Sequence, residues 1–299
     1  MPSEIRLDFR PPLWPDSLFG HLAATAVPGV EEWRDGALRR TLRLPSGPGV
    51  VALTPHPDHV ACRLHLAGDA DLPAAVAACR RLLDLDADPA RIDPALAADP
   101  ALAPHVAAAP GRRLPGAVDP AEMALRVVLG QQITVAAAGT LAARLADAAG
   151  EPVDDPEGGL RRLFPTPAAV AAVDPAVLAM PAGRRATVLR LAAALADGAV
   201  DLGPGADHAA ALAALGELPG VGPWTVAMVA MRALGHPDAF PAGDLGVRLA
   251  ARAAGLPTTP AALRARAERW RPWRAYAVQY LWGSADHAVN RLPAPGRHV

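Results

Sequence analysis

The sequence of 299 residues contains no lysine, because all 29 of its basic residues are arginine. Covalent catalysis through a Schiff base needs an amine, and among the groups of this chain only the N-terminal amine can supply one. There are just two cysteines, Cys62 and Cys79, which are too few for an iron–sulfur or zinc framework. Cysteine used this sparingly is typical of free thiols in the cytosol.

The chain also lacks the hydrophobic runs that membranes require. No apolar stretch approaches the ~18 residues of a membrane-spanning helix. Residues 1–10 alternate charged and apolar positions, without the apolar region of a secretory signal. Apolar residues nevertheless make up 52% of the sequence, which is typical of a chain that buries a core. We therefore expect a cytoplasmic protein with no membrane partner.

The net charge of −1 is unevenly distributed. Residues 245–299 hold nine arginines against two acidic residues, Glu268 and Asp286. A local basic surface of this kind suffices to contact phosphates. An ordinary solvated helix face accounts for the same arginines, so they do not decide between the two interpretations.

Residues 1–88 predict a small α+β domain with an antiparallel sheet. Alternating or continuous apolar runs predict three strands, at residues 5–9, 50–53 and 60–66. Two helices are expected, at residues 17–26 and 73–83. Ser17 or Asp16 is the expected cap of the first helix.

Helical patterns dominate the rest of the chain. Residues 89–118 are expected to form a connector with short helical turns. At Asp119 a capping residue, a proline and Glu122 predict the start of a helix that runs to about Ala149. Three shorter helices are expected, at residues 167–172, 175–180 and 184–196.

The most informative segment is a predicted helical hairpin at residues 207–234. Asp207 caps its first helix, and Pro223 occupies the first position of its second helix. Gly220 and Gly222, between them, permit a tight turn with positive φ. Amides at such a turn face outward at a positive helix end, where a phosphate can approach without meeting a Cβ. Hairpins of this kind that bind nothing also exist, so DNA binding stays open at this point.

The residues of this hairpin resemble a known family. Leu-Pro-Gly-Val-Gly-Pro-Trp-Thr-Val-Ala at 218–227 is similar to the hairpin of the helix–hairpin–helix DNA glycosylases. Asp244 lies twenty residues beyond Trp224, where that family places an essential aspartate. The resemblance is closest to the bacterial 3-methyladenine DNA glycosylase II group. It extends through nearly the whole chain, by way of residues 113–116, 129–135, 164–167, 240–245 and 268–274.

The resemblance implies a helical glycosylase core of two subdomains at residues 119–299. It also implies an enzyme that hydrolyses the N-glycosidic bond of alkylated bases in double-stranded DNA and leaves an abasic site, acting as a monomer in the bacterial cytosol or nucleoid. One branch of the superfamily cleaves the strand with a lysine, and another carries four clustered cysteines; this chain has neither. A monofunctional glycosylase for 3-methyl and 7-methyl purines is therefore favoured.

Asp244 is the predicted catalytic residue. It follows Gly243 and precedes an apolar helical run, a position at which aspartate caps a helix and meets the positive end of the helix dipole. Cleavage of an N-glycosidic bond builds positive charge on the sugar, as in the hydrolysis of O-glycosides. A nearby carboxylate stabilises that charge and can orient or deprotonate the attacking water.

The resemblance implies that Trp224, Trp282 and Met228 line the pocket for the flipped base. An aromatic ring attracts a cationic alkylated base by about 0.5–2 kcal/mol per contact, although core packing is the alternative for either tryptophan. Met228 and Gly283 stand where some relatives have tyrosines, so the substrate range is expected to differ. Gln132 replaces a leucine wedge and is expected to fill the gap in the base stack; the alternative is a polar residue on a helix face.

The expected contacts with DNA lie on the hairpin, at Gly220, Val221, Gly222 and Thr225. No organic cofactor and no side-chain metal site are expected, but the resemblance implies that the carbonyls of Leu218 and Gly220 can hold a monovalent cation. Two other hypotheses stay open: a non-catalytic module that only grips the DNA backbone, and a helical scaffold without DNA. The preferred lesion also stays open among 3-methyladenine, 7-methylguanine, hypoxanthine and ethenoadenine.

Overall fold

The computed structural model describes residues 3–285 and 287–293. In these residues lie a five-stranded sheet and thirteen α-helices. The strands are β1 Ser3–Asp8, β2 Glu31–Arg34, β3 Ala37–Leu44, β4 Gly47–Pro55 and β5 His59–His65. The helices are α1 Pro15–Ala24, α2 Leu72–Leu83, α3 Pro89–Ala97, α4 Ala103–Ala108, α5 Pro120–Leu129, α6 Val135–Ala149, α7 Pro167–Ala171, α8 Ala182–Ala196, α9 His208–Glu217, α10 Pro223–Arg232, α11 Leu245–Ala253, α12 Pro260–Ala267 and α13 Arg274–Gly283. In the described part of the chain, no helix combines the length and hydropathy needed to traverse a bilayer.

The sheet is antiparallel throughout, in the order β1-β5-β4-β3-β2. Helices α1 and α2 pack against it around Phe19, Trp33 and Leu82. The predicted α+β domain is therefore confirmed. Helix α1 begins at Pro15 after Trp14, and no side chain caps it, so the expected cap at Ser17 or Asp16 was wrong. Proline at the first position needs no cap for its own missing N–H.

Strand β3 carries buried arginines, and the sequence did not predict it. Arg40 donates to Glu31 and Glu122, and Arg126 of α5 pairs with the same two carboxylates. Burial alone would raise the pKa of Glu31, but Arg126 and Arg40 outweigh burial and lower it. Charged residues inside a strand mask the apolar alternation on which strand prediction depends.

The helices form two hydrophobic cores. One core is built from helices α5 through α10, and Leu125, Leu191 and Leu215 are fully buried in it. The other joins α11, α12 and α13 to α3 and α4. Helix α10 contributes Val229 to the first core and Met231 to the second. The two cores agree with the predicted pair of helical subdomains, but α3 and α4, from the connector expected at 89–118, pack into the second core. The hairpin helix α10 lies between the two cores.

The prediction of one continuous helix over residues 119–149 was wrong, because a turn divides this segment into α5 and α6. Asp119 caps α5 as expected, accepting from the amides of Ala121 and Glu122. Gln132 then adopts a left-handed φ of +59°, and Thr134 caps α6. One residue with positive φ suffices to break helical hydrogen bonding. The helix expected at 175–180 is likewise reduced to a short 3-10 turn, Pro175–Val177.

Candidate active site

The hairpin joins α9 to α10 through residues 218–222. Asp207 caps α9 by accepting from the amides of Ala209 and Ala210, as the sequence predicts. Gly222 is the N-cap of α10, and Pro223 is its first residue. The first amides of α10 have no partner within the helix, and they mark a positive helix end.

The two glycines of the hairpin have different roles. Gly220 has a φ of +93°, and a Cβ there would lie 2.0 Å from the Oγ1 atom of Thr187. Gly222 has a φ of −107°, so the expectation of positive φ was wrong for this residue. A Cβ at Gly222 would meet nothing within 4 Å. Gly220 therefore permits the turn, whereas Gly222 leaves its outer side open.

Gln131 ties the α5–α6 turn to the hairpin, a contact that the sequence did not predict. Its Nε2 atom donates to the Oγ1 atom of Thr225 at 2.8 Å and to the carbonyl of Gly220 at 3.3 Å. Thr225 is 2% exposed, and the side chain of Val221 is buried in the first helical core. Val221 and Thr225, both expected to contact DNA, are therefore buried in this structure, and Thr225 instead accepts from Gln131.

A cleft of about 820 Å³ separates the α5–α6 turn and the hairpin from the start of α11. Gln132 is exposed and lines this cleft. Since it lies in a turn, the alternative that places it on a helix face was wrong. Trp224 and Asp244 also line the cleft. The geometry therefore brings Gln132, the hairpin glycines, Trp224 and Asp244 to one surface.

Asp244 caps α11, and its carboxylate accepts three N–H groups. The Oδ1 atom accepts from the amide of Val247 at 2.9 Å and from the indole of Trp282 at 3.0 Å. The Oδ2 atom accepts from the indole of Trp224 at 3.0 Å. Both predicted pocket tryptophans therefore hold the carboxylate in place, because an indole N–H in a partly buried position needs an acceptor. The sequence predicted their proximity to the base but not this bond.

A second cavity, of about 520 Å³, opens on the other side of Asp244. Trp282, Leu249 and Val135 line it. Three large apolar side chains of the described chain are exposed, and all of them line this cavity or the cleft: Val135 at 43%, Leu245 at 66% and Leu249 at 59%. Exposed apolar residues gathered around a cavity mouth indicate a surface that binds something. We call this space the Asp244 cavity.

Met228 does not join this arrangement. It is half-buried and lines a separate cavity of about 160 Å³ with Arg126 and Arg232. Since that cavity lacks Asp244, the predicted pocket residues divide into two tryptophans at the carboxylate and a methionine set back from it.

His21 of α1 lines the Asp244 cavity, a position that no sequence pattern predicted. Its Nε2 atom lies 2.5 Å from the Nη1 atom of Arg232. Burial lowers the pKa of His21 well below its usual value, and the charges of Arg232 and Arg126 lower it further. The imidazole is therefore neutral near pH 7, with Nε2 accepting from Arg232 and Nδ1 carrying the proton.

The arginines after residue 245 form a less basic surface than their number predicts. Arg266 pairs with Asp99, and Arg271 and Arg274 pair with Asp238 and Glu268. The exposed side chains include Arg252, Arg264 and Arg269. Asp286 and Arg297 lie outside the described residues. The ion pairs favour, for part of this set, the interpretation as ordinary surface charge.

Two family models match the chain. Residues 4–119 match the AlkA N-terminal domain, and residues 125–275 match the HhH-GPD superfamily base excision DNA repair protein. The sequence is 55% identical over 289 residues to a probable bifunctional transcriptional activator/DNA repair enzyme AlkA of Mycobacterium tuberculosis. That match covers 97% of this chain but only 58% of the relative's length.

One further relative and one solved structure match over most of both chains. DNA-3-methyladenine glycosylase 2 of Escherichia coli is 37% identical, covering 92% of this chain and 95% of its own. The solved structure of a 3-methyladenine DNA-glycosylase from Archaeoglobus fulgidus has a TM-score of 0.77 at 20% identity, covering 94% of this chain and 97% of that one. This structural likeness shows the fold. With the family models and the sequence identities, the chain belongs to the HhH-GPD superfamily of base excision DNA repair proteins.

Proposed function

We propose that this chain is a monofunctional DNA glycosylase that hydrolyses the N-glycosidic bond of 3-methyl and 7-methyl purines in duplex DNA and leaves an abasic site. The observation that carries the proposal is the position of Asp244. Its carboxylate stands between an open cleft and a cavity, held by two indoles and a backbone amide. The printed name of the Escherichia coli relative, DNA-3-methyladenine glycosylase 2, supports the same activity.

In the proposed reaction the damaged base enters the Asp244 cavity and the sugar faces the carboxylate. A volume of about 520 Å³ is within the range of small-molecule sites and accommodates a flipped nucleobase. As the bond to the base breaks, positive charge grows on the sugar, and the Asp244 carboxylate stabilises it. Water then adds at the sugar carbon, and the carboxylate accepts its proton.

The fixed orientation of Asp244 serves this chemistry. Its described hydrogen-bond donors are the neutral N–H groups of Trp224, Trp282 and Val247. No arginine forms an ion pair with it among the residues that the structure describes. A carboxylate bound to neutral donors keeps its full negative charge for the sugar, whereas an arginine partner would offset that charge.

DNA is held, in this proposal, by its backbone at the hairpin. The open outer side of Gly222 and the positive end of α10 suit a phosphate. Gln132, exposed on its turn across the cleft, fills the space that the flipped base leaves. The protein acts as a monomer, and the absence of lysine fits hydrolysis without strand cleavage.

The hairpin carbonyls also suit a monovalent cation. The carbonyl of Leu218 accepts from the amide of Val221, and that of Gly220 accepts from Gln131. Each carbonyl oxygen has two lone pairs, so each retains one for an ion. The neighbouring carbonyl of Pro219 accepts from the guanidinium of Arg190. A bound cation would add positive charge for the phosphate, and no organic cofactor is part of the proposal.

A non-catalytic DNA-binding module is the second candidate. It accounts for the hairpin but not for an oriented carboxylate beside a cavity of nucleobase size. The two candidates differ in one assay, the release of 3-methyladenine from methylated duplex DNA. We expect release by the protein, and a loss of about 100-fold or more in Asp244→Asn, because a general base contributes 10²–10⁴-fold.

Asp174→Asn is the matched control for that assay. Asp174 is an exposed aspartate that also caps a helical turn, by accepting from the amide of Ala176, and it lies in neither the cleft nor the cavity. We expect unchanged release in this variant. Undiminished release in Asp244→Asn would overturn the mechanism. Salt-dependent DNA binding without any release would favour the non-catalytic module.

A further inference from the structure

Helix α11 exposes two large apolar side chains directly after Asp244. Leu245 is 66% exposed and Leu249 is 59% exposed. Because they lie four residues apart, the two side chains share one face of the helix, which we call the α11 ridge. The opposite face carries Val247 and Ala251, which are fully buried in the second helical core. The core therefore does not use the two leucines, and both face water in the free protein.

The charges beside the α11 ridge suit a polyanion. Helix α11 contains two arginines, Arg248 and Arg252, and no acidic residue. Arg252 is exposed and lies seven residues after Leu245, so it shares the face of the ridge. Positive charge beside apolar side chains matches DNA, which combines anionic phosphates with apolar base faces. A second copy of this chain, packed ridge to ridge, would instead bring two positive surfaces together.

The two leucines of the α11 ridge line different spaces. Leu245 lines the cleft, on the wall opposite Gln132, whereas Leu249 lines the Asp244 cavity. In the proposed reaction the duplex occupies the cleft, and the flipped base occupies the cavity. Leu245 therefore faces the duplex, and Leu249 faces the extruded base.

The position of Leu245 in the chain sets where it meets the duplex. It is the neighbour of Asp244, and consecutive Cα atoms are about 3.8 Å apart. Successive nucleotides of one strand rise by about 3.4 Å. When the sugar of the flipped nucleotide faces the Asp244 carboxylate, Leu245 is therefore level with the adjoining base step. Leucine is among the apolar side chains that proteins insert between base steps.

We propose that Leu245 is an apolar wedge that enters the base step next to the flipped nucleotide, from the wall of the cleft opposite Gln132. This inference rests on the proposed glycosylase function. Gln132 is polar, so it can hydrogen-bond a base edge in the vacated space but offers little apolar surface. Leu245 supplies that surface. Its burial against base faces offsets part of the cost of unstacking and so favours the flipped state.

A duplex with the stable abasic analogue tetrahydrofuran tests the wedge without a base. Binding of this duplex and of an undamaged duplex is compared between the unchanged chain and Leu245→Ser. We expect the variant to lose about 10- to 100-fold in affinity for the abasic duplex, the effect of leaving one leucine in water. Affinity for the undamaged duplex should stay the same, because that binding depends on phosphate contacts.

A fluorescent base beside the abasic analogue reports the wedge directly. 2-Aminopurine brightens when it loses stacking on a neighbouring base, so the unchanged chain should raise its fluorescence on binding. Leu245→Ser, at saturating concentration, should raise it less. Leu245→Met keeps a flexible apolar side chain and should retain both the affinity and the fluorescence change.

Leu249→Ser is the matched comparison. It makes the same change on the same face of α11, at a residue that lines the cavity and not the cleft. The abasic duplex has no base to place in the cavity, so this variant should bind it as tightly as the unchanged chain does. Thermal unfolding establishes that each variant is folded.

Each outcome decides the inference. Undiminished affinity of Leu245→Ser for the abasic duplex would overturn it. An equal loss for both duplexes, or an equal loss in Leu249→Ser, would make the contact unspecific and overturn it as well. Sedimentation as a dimer that Leu245→Ser dissociates would assign the α11 ridge to a second copy. In all these cases release of 3-methyladenine by the unchanged chain would leave the glycosylase function standing, whereas its absence would contradict the proposed function.

Discussion

Arg40 and Arg112 are both buried guanidinium groups, yet their surroundings are opposite. Where the sheet meets α5, Arg40 and Arg126 share two carboxylates, Glu31 and Glu122. At the Asp244 cavity, Arg112 has unpaired N–H groups, and Asp244 has neutral donors in place of an arginine. Carboxylates therefore neutralise Arg40 where the sheet meets α5, whereas Arg112 has no ion-pair partner among the described residues.

The two arginines differ in what they contribute to the stability of the fold. A buried ion pair that is fully hydrogen-bonded holds two elements in register, and its disruption leaves a buried charge alone. A buried group without a hydrogen-bond partner instead lowers the stability of the fold. Four measurements would break or sharpen this comparison.

The largest effect is expected for Arg40→Met. This variant leaves Glu31 and Glu122 sharing Arg126 alone, so the free energy of unfolding should fall by about 3–5 kcal/mol, as for other broken buried pairs. Urea denaturation measures it. Arg6→Met, at an exposed ion pair with Asp8 and Asp58, is the control and should produce no measurable change. Similar losses in the two variants would break the contrast.

The buried carboxylate of Asp84 extends the comparison from arginines to an acidic residue. Asp84 is buried and accepts from the hydroxyl of Tyr276 and the amide of Leu114, and burial raises its pKa to about 6 from the usual 3.8. Between about pH 4 and pH 6, Asp84 is therefore protonated in the folded chain but ionised in the unfolded chain. The stability that protonated Asp84 contributes is present below about pH 4 and disappears as the pH rises through 6, a fall of about 2–3 kcal/mol.

Asp84→Asn removes this titration and keeps the left-handed backbone, since asparagine tolerates the φ of +50° at this position. Urea denaturation from pH 4 to pH 7 should show that the variant gains on the unchanged chain by that amount as the pH rises. Parallel curves would contradict the assignment.

Trp282→Phe removes one neutral donor from Asp244 and keeps an aromatic ring. A hydrogen bond to a charged group contributes about 1.5–3 kcal/mol, so single-turnover release of 3-methyladenine should fall about 10- to 100-fold. Trp270→Phe is the matched control, because the indole of Trp270 donates to Asp99, a carboxylate that is already paired with Arg266. That variant should unfold at a lower temperature but retain the release rate. Equal rates in the two variants would remove the positioning role of Trp282.

The smallest effect on stability is expected for Arg112→Met. Methionine fills a similar shape without unpaired donors, so the free energy of unfolding should change by no more than about 1 kcal/mol, in either direction. Urea denaturation beside Arg40→Met gives the comparison directly. A fall as large as that of Arg40→Met would mean that Arg112 also braces the fold.

The sequence predicted the elements whose local signals agree with their surroundings. Asp119 and Asp207 each precede a helix and do cap it, and Gly220 takes the positive φ expected of it. Strand β3 escaped prediction because Arg39 and Arg40 interrupt its apolar pattern, and their partners lie far away in the chain. The break at Gln132 escaped because glutamine carries no preference for left-handed backbone.

At the candidate site, sequence patterns predicted which residues take part but not how they contact one another. The resemblance singled out Asp244, Trp224 and Trp282, and the structure brings these three side chains together. The apolar run after Asp244 predicted a helix but not the exposure of Leu245, which becomes visible only once the helices are packed. Burial depends on the tertiary structure, and a linear pattern cannot contain it.

The contact between Arg112 and Gly283 also couples two positions that lie far apart in the chain. A Cβ at position 283 would lie 2.1 Å from the guanidinium, which is the end of a long and flexible side chain. Any larger residue at 283 would therefore require Arg112 to adopt another rotamer, so the effects of substitutions at 112 and 283 should not be additive.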